Sequence, residues 1–422
     1  MSYAPDPAVL RAQIRQVVPP PAGDPRLGER PSSDTWARPF VFRPASELPH
    51  RQWLYGDHYI RRFLTTTLAP GGVGKSALAL VEALSMASGK ALVGVVPVER
   101  CKVWYWNGED PYEETERRVA ALCLHYGLGA ADLEGWLFLG SGRDGDLVIA
   151  EQSGSDTTVN APVVDELLEM IDGRDIDVAI IDPFVSSHSV SENDNGAIDR
   201  VAKTWARIAD RTAVSVELIH HMRKRPTGNG EAEMTVEDGR GAVALLAAAR
   251  SARVLNPMSK QEAENAGVEK RRSFFRVDNG KANLAPPPEG STWFRFVSEN
   301  LGNGGPKGGD SVGVVTAWEW PDHAKGLTPE MTQAVQRLVA SKDGADRYRK
   351  DVQSAAWVGN AVAQVLALDL HGTQDKAKAK ELLRGWGKAG LLVDVRGKDA
   401  KSKDVTFVEV GKWIDTSVEV AA

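Results

Sequence analysis

Cysteine is almost missing from this chain: Cys101 and Cys123 are the only two among 422 residues. That excludes a disulfide framework and a zinc cluster, and it suits a reducing cytoplasmic setting. No stretch reaches the roughly 18 uninterrupted apolar residues of a membrane span, so no membrane partner is expected. The N-terminal MSYAPDPAVLRAQIRQ lacks the charged-then-apolar order of a secretory signal. An excess of positive charge is missing too. Lys and Arg number 51 against 57 Asp and Glu, a net of −6, so any nucleic-acid surface must be a local basic patch. With 42% hydrophobic and 26% charged residues, the chain can still bury real cores, and its length allows two or three domains.

Core-forming residues are also scarce at the start. Residues 1–50 hold ten of the 23 prolines, including Pro19-Pro20-Pro21, and are expected to be a mobile or surface-draped arm. At Trp53-Leu54-Tyr55-Gly56 the composition turns aromatic. This stretch fits either packing near a nucleotide base or an apolar plug at a sheet edge.

What is present begins with Phe63–Leu80, FLTTTLAPGGVGKSALAL. Phe63–Leu68 is rich in β-branched and apolar residues, as a buried strand is. Ala77–Ser88 suits a helix, with Gly89 placed to stop it. Between them lie Ala69, Pro70, Gly71, Gly72, Val73, Gly74, Lys75, Ser76 and Ala77. This is a phosphate-cradling P-loop with alanine at the first glycine position. Its glycines let backbone N–H groups converge on an anion at a helix N-terminus. Lys75 would reach the β- and γ-phosphates of ATP and Ser76 would hold Mg²⁺. The alternative is an ordinary glycine turn before Lys-Ser; the strand and helix on either side argue against it.

Lys102–Trp106 reads as a second strand ending in Asn107-Gly108-Glu109-Asp110-Pro111. Ligand sites of open parallel sheets gather at the carboxyl ends of strands. Glu109 is therefore a candidate general base for water attack, and Asp110 before Pro111 a candidate helix cap. Gly135–Leu139 reads as a strand and Ala161–Ile171 as a helix with Val163, Val164, Leu167, Leu168 and Ile171 on one face. Asp177–Asp182 is an apolar strand ending in a carboxylate, and Asp182 would join the Mg²⁺ site. Ile198–Arg211 follows as a helix, then Ala213–Ile219 as a strand ending in His220-His221. A histidine there can sense a γ-phosphate or simply sit in structural hydrogen bonds. Arg223, Lys224 and Arg225 open a Gly- and Glu-rich stretch to about Gly239, of a length that is functional or disordered.

Beyond residue 302 the composition changes to Asn303–Asp310, NGGPKGGD, a linker expected over 303–325. Thr328–Ala340, Trp357–Leu368 and Asp375–Lys388 read as helices. Leu391–Val395 and Val405–Val410 read as a hairpin with a charged tip. Helices followed by a two-stranded wing describe a winged helix over 326–422. Lys376, Lys380, Arg384 and Lys388 recur every four residues and share one helical face. That face fits phosphate contact with DNA, a solvated surface, or a protein-docking module.

Taken together, the P-loop, WNGEDP, AIIDPF, IHHMRK, GRGAVALLAAARSAR and NGKANLAP in that order resemble the RepA-type hexameric helicases of the RecA-like ATPase superfamily, over roughly residues 50–300. The resemblance implies a RecA-like α/β core over 51–302 with a mostly parallel twisted sheet. It also implies a homo-oligomeric, hexameric ring acting on single-stranded DNA, with a possible primase or initiator partner. It puts the catalytic base on Glu109, the phosphate sensor on His221 and the arginine finger on Arg250, with Arg240 behind it. Lys281 is similar to a trans-acting basic residue of related ring helicases, and Asn283 stands where those relatives carry arginine. A guanidinium supplied by a neighbour would make hydrolysis depend on assembly. The basic residues after His221 would then grip the strand by backbone contacts. The function implied is ATP-driven translocation and unwinding in plasmid, phage or prophage replication. A RecA-like DNA-dependent ATPase without unwinding and a nucleotide-switched DNA-binding regulator remain alternatives.

Overall fold

The computed structural model describes residues 37, 39–154, 156–222, 233–238, 243–286, 289–306 and 308–415. The chain forms two compact units, residues 1–256 with 275–318, and residues 257–274 with 319–422.

The first unit is built on a nine-stranded sheet. Its strands are β3 (Leu64–Ala69), β4 (Val103–Asn107), β5 (Leu137–Ser141), β8 (Val178–Asp182), β9 (Ser215–His221), β10 (Ser251–Pro257), β11 (Phe274–Ala282), β12 (Thr292–Asn300) and β13 (Ser311–Ala317). The order across the sheet is β13-β12-β11-β10-β3-β9-β8-β4-β5. The run from β10 to β5 is parallel, and β12 with β13 is antiparallel. Two small antiparallel pairs accompany it, β1 (Trp53–Tyr55) with β2 (Tyr59–Ile60) and β6 (Ala150–Ser153) with β7 (Asp156–Val159).

Parallel strands need helical crossovers that cover both faces. On one face, α1 (Lys75–Ser88) and α2 (Tyr112–Tyr126) share an apolar core with Val103, Tyr105, Ile180 and Val315 of the sheet. On the other face, α3 (Ala161–Arg174) and α4 (Asn195–Thr212) pack with Trp104, Trp106, Ala179 and Ile181 around the fully buried Trp205. The short α5 (Val243–Ala248) adds Ala244 and Leu245 to that second core. Local signals explain the helix ends. Gly89 stops α1 in the left-handed region at φ 72°, and Asp194 caps α4 by accepting from the Gly196 and Ala197 amides.

Beneath the P-loop strand runs a buried polar network. Arg253 donates to both carboxylate oxygens of Glu82, at 2.7 and 2.5 Å. Tyr59 donates to Glu82 at 2.9 Å. Glu217 accepts from Thr65 and Thr67 and pairs with His58. Each of these carboxylates is partnered, as burial demands. Leu54 and Tyr55 pack into the core beside Tyr59 and α1, so the aromatic stretch is a core plug.

Two boundaries differ from the sequence reading. The expected linker 303–325 contains β13, an edge strand matched residue by residue to β12; Gly313 interrupts its valines and hides the alternation. Residues 257–274, expected in the core, cluster with the C-terminal unit.

The second unit holds α6 (Lys260–Ala266), α7 (Pro329–Ala340), α8 (Gly359–Leu366), α9 (Thr373–Lys388) and the antiparallel hairpin β14 (Leu392–Lys398) with β15 (Asp404–Val410). Val335, Trp357, Val362, Leu382, Trp386 and Val408 form its core. Thr328 caps α7 by accepting from the Met331 amide.

Candidate active site

The strand ends set the geometry. Register places Ala69 beside His221 and Asn107 beside Asp182, so the P-loop, the WNGED turn, the strand-end aspartate and the histidine pair all leave the same edge of the sheet. Ala69 is the last residue of β3 and keeps an ordinary extended backbone, which is why alanine serves where a glycine is usual. Gly72 and Gly74 are the positions that need glycine. Their φ angles are 78° and 124°, and a Cβ on Gly74 would lie 2.8 Å from the Phe296 ring. Gly74 caps α1 without a side-chain hydrogen bond, so the first-turn amides remain open to an anion.

Lys75 is buried, and its ammonium donates to Ala69 O at 3.1 Å, Pro70 O at 3.0 Å and His221 Nδ1 at 3.1 Å. An ammonium only donates, so His221 Nδ1 accepts and the ring is neutral with its proton on Nε2. Burial pulls Lys75 down to about 8, against the opposing pull of Asp182 and Glu109. Burial and then Lys75 lower His221, while Glu109, Asp182 and Glu192 act in the other direction. The fields of Glu109 and Asp182 therefore fall on both Lys75 and His221. Glu192 is a carboxylate that sequence reasoning missed, because it lies in a polar loop with no motif around it.

Tyr105, also missed, donates to Asp182 Oδ2 at 2.7 Å and orients the carboxylate. The other Asp182 oxygen and the Ser76 hydroxyl are left for a ligand, and the P-loop amides are open to an anion. That donor set fits Mg²⁺ with phosphates, a cation bound through one or two protein oxygens together with the phosphate oxygens. Among the described residues no group of three or more His, Cys, Asp or Glu is placed to hold a metal by itself.

Glu109 is exposed, on a turn that Asn107 Oδ1 braces by accepting from the Glu109 and Asp110 amides at 3.0 and 2.7 Å. Arg143 donates to Glu109 O at 3.0 Å. Gly108 is obligatory for close approach: a Cβ there would lie 2.3 Å from Ser186 Cβ. Asp110 does not cap α2. Pro111 occupies that position without a side-chain bond, and Asp110 pairs with Arg118 at 2.8 Å.

Arg250 and Lys281 lie elsewhere. The Arg250 amide donates to Leu64 O at 2.8 Å, at the start of β3, whereas the P-loop follows its end. Six residues of strand separate the two ends, about 20 Å at roughly 3.3 Å per residue. Arg250 is exposed. Burial and then the Arg250 charge lower the pKa of Lys281. The Lys281 ammonium donates to Leu246 O at 2.5 Å and Ala247 O at 3.3 Å, closing the end of α5. The structure thus gathers Lys75, Ser76, Glu109, Asp182 and His221 at one end of the sheet, and Arg250 with Lys281 at the other. Arg223, Lys224, Arg225 and Arg240 lie outside the described residues.

In the second unit the basic stripe is less free than its spacing implied. Lys376 and Lys380 are half-buried. Arg384 pairs with Glu381 at 2.8 Å and donates to Asn265 of α6 at 3.3 Å. The covering helix comes from a segment about a hundred residues upstream, which local periodicity cannot reveal. Lys388 is exposed.

A P-loop on a mostly parallel α/β sheet, with a strand-end aspartate beside it, defines the class: a P-loop nucleotide-binding domain. Residues 33–227 match the family model described as "AAA domain". Among solved structures, the chain is similar to a helicase-type ATPase domain at 14% identity and TM-score 0.40, covering 56% of this chain and 82% of that one. It is also similar to a DnaB-like replicative helicase studied with primase, at 15% identity and TM-score 0.41, covering 57% of this chain and 58% of that one. No helix among the described residues is long and apolar enough to cross a membrane.

Proposed function

We propose that the chain is an ATP-dependent DNA helicase whose copies form a hexameric ring. The observation that carries this reading is the separation of Arg250 and Lys281 from the P-loop of their own chain. From there they would serve hydrolysis only at a neighbouring copy. ATP would lie with its phosphates on the P-loop amides. Lys75 would leave its contacts with Ala69, Pro70 and His221 for the β- and γ-phosphates. Ser76 and Asp182 would hold Mg²⁺, which supplies charge neutralisation on the phosphates. Glu109 would take a proton from the attacking water, and the neutral His221 would offer its Nε2–H to the γ-phosphate. Arg250 from the next copy would neutralise charge in the transition state, a contribution on the order of 10³–10⁵ in rate for well-studied fingers.

Single-stranded DNA is the polymer this reading assigns to the ring, with the basic residues after His221 as its grip, and plasmid, phage or prophage replication as its setting. The C-terminal unit, with its helices and terminal hairpin, fits a winged helix. Strand displacement tests the proposal. A labelled strand should be released from a forked duplex with ATP, and Glu109→Gln should abolish release while nucleotide still binds. Hydrolysis stimulated by single-stranded DNA without release would instead favour a DNA-dependent ATPase that remodels rather than unwinds.

A further inference from the structure

The first unit exposes an apolar segment and, separately, an open apolar groove, and the two carry opposite charge. Phe40, Val41 and Phe42 are 86%, 75% and 78% exposed, in a non-helical stretch ahead of a short turn at Ala45–Glu47. Three large apolar side chains in a row on a surface mark an interaction site. Proline on either side, Pro39 and Pro44, favours extended backbone and lowers the entropy lost on docking. In an extended segment Phe40 and Phe42 fall on one side. Arg43 follows the triplet directly.

The groove has a volume of about 610 Å³ and runs along α2, within the range of sites that enclose apolar groups. Its lining includes Cys123, Leu124, Leu128 and Leu301, and Leu124 is 58% exposed. Glu113 and Glu116 line it as well, and neither has an ion-pair partner among the described residues. Arg117, the cation of the lining, is already held by Glu114 and Asp310.

We propose that the Phe40-Val41-Phe42 segment of one copy seats in the α2 groove of a neighbouring copy, with Arg43 against Glu113 and Glu116. The occupant is a second copy of this chain because the chain itself supplies the matching charge and apolar surface. The inference rests on the self-association in the ring reading and adds the contact that achieves it. Since α2 begins just after Glu109, the contact would bear on the turn that carries the candidate base.

Cys123 makes the test direct. Phe40→Cys and Phe42→Cys, each keeping the other ring, are oxidised with diamide in the full-length protein and run on a non-reducing gel. Cys101 is fully buried and stays out of the reaction. The proposal expects covalent dimers and higher species, lost when Cys123→Ser is added. It also expects their loss with Glu113→Lys and Glu116→Lys, and recovery with Arg43→Glu. A disulfide confined to single chains, a cross-link that survives Cys123→Ser, or no cross-link at all overturns it. Sedimentation separates the two levels. A protein without the cross-link that still assembles defeats only this contact, and one that stays monomeric with ATP and single-stranded DNA defeats the ring reading too.

Discussion

At the scale of single residues, the site is organised by buried groups whose charge is controlled. Lys75 is held by two carbonyls and a histidine nitrogen, contacts that phosphate oxygens can replace one for one. Near it, His188 and His220 are buried and pack against Phe184, with ring centroids 4.7 and 6.0 Å from it. Burial lowers each to about 4; His221, His188 and Lys75 add to the effect at His220. Both folded values lie below the ordinary 6.5, so the unfolded chain binds more protons between the two. Stability is therefore full above about pH 6.5 and lost as pH falls toward 4, by about 2 kcal/mol per ring at about pH 5. Urea unfolding at about pH 7.5 and about pH 5 should show that loss, and His188→Phe should remove part of it. An unchanged pH dependence in the variant would mean His188 is not held neutral.

At the scale of elements, α1 is the piece that must stay in register with the sheet, because its first turn carries Lys75 and Ser76. Glu82 fixes it, through Arg253 of β10 and Tyr59 of β2. Glu82→Ala leaves a buried guanidinium without its carboxylate, and the expected loss is about 3–5 kcal/mol, read from denaturant unfolding; a loss near zero would show that the network relaxes. This network was invisible in the sequence, since Tyr59, Glu82, Glu217 and Arg253 belong to four different elements. The strands and helices themselves were legible. Asp177–Asp182 and Ala213–Ile219 are apolar runs bounded by polar loops, and both are central strands. Lys75, Glu109, Asp182 and His221 were legible because each ends or follows such a strand. Tyr105 was not, because an aromatic inside a strand reads as core. The glycine-broken β13 and the cover that α6 gives α9 depended on contacts distant in sequence. Asp110 was misread as a cap because its partner, Arg118, lies two turns along the helix it precedes.

At the scale of the whole molecule, the two ends of one sheet carry complementary halves of the proposed hydrolytic site. Neither Arg250 nor Lys281 is placed to act on its own chain's P-loop, so the central claim is that hydrolysis is shared between copies. The most direct test mixes two inactive variants, Lys75→Ala, which keeps Arg250 but cannot hold phosphate, and Arg250→Ala, which keeps the P-loop. Each alone should be inactive. Mixed in equal amounts, roughly a quarter of the interfaces in a closed ring would join an intact P-loop to an intact arginine, and ATP hydrolysis should return in that proportion. Full activity in Arg250→Ala alone, or a mixture as dead as its parts, would contradict the account.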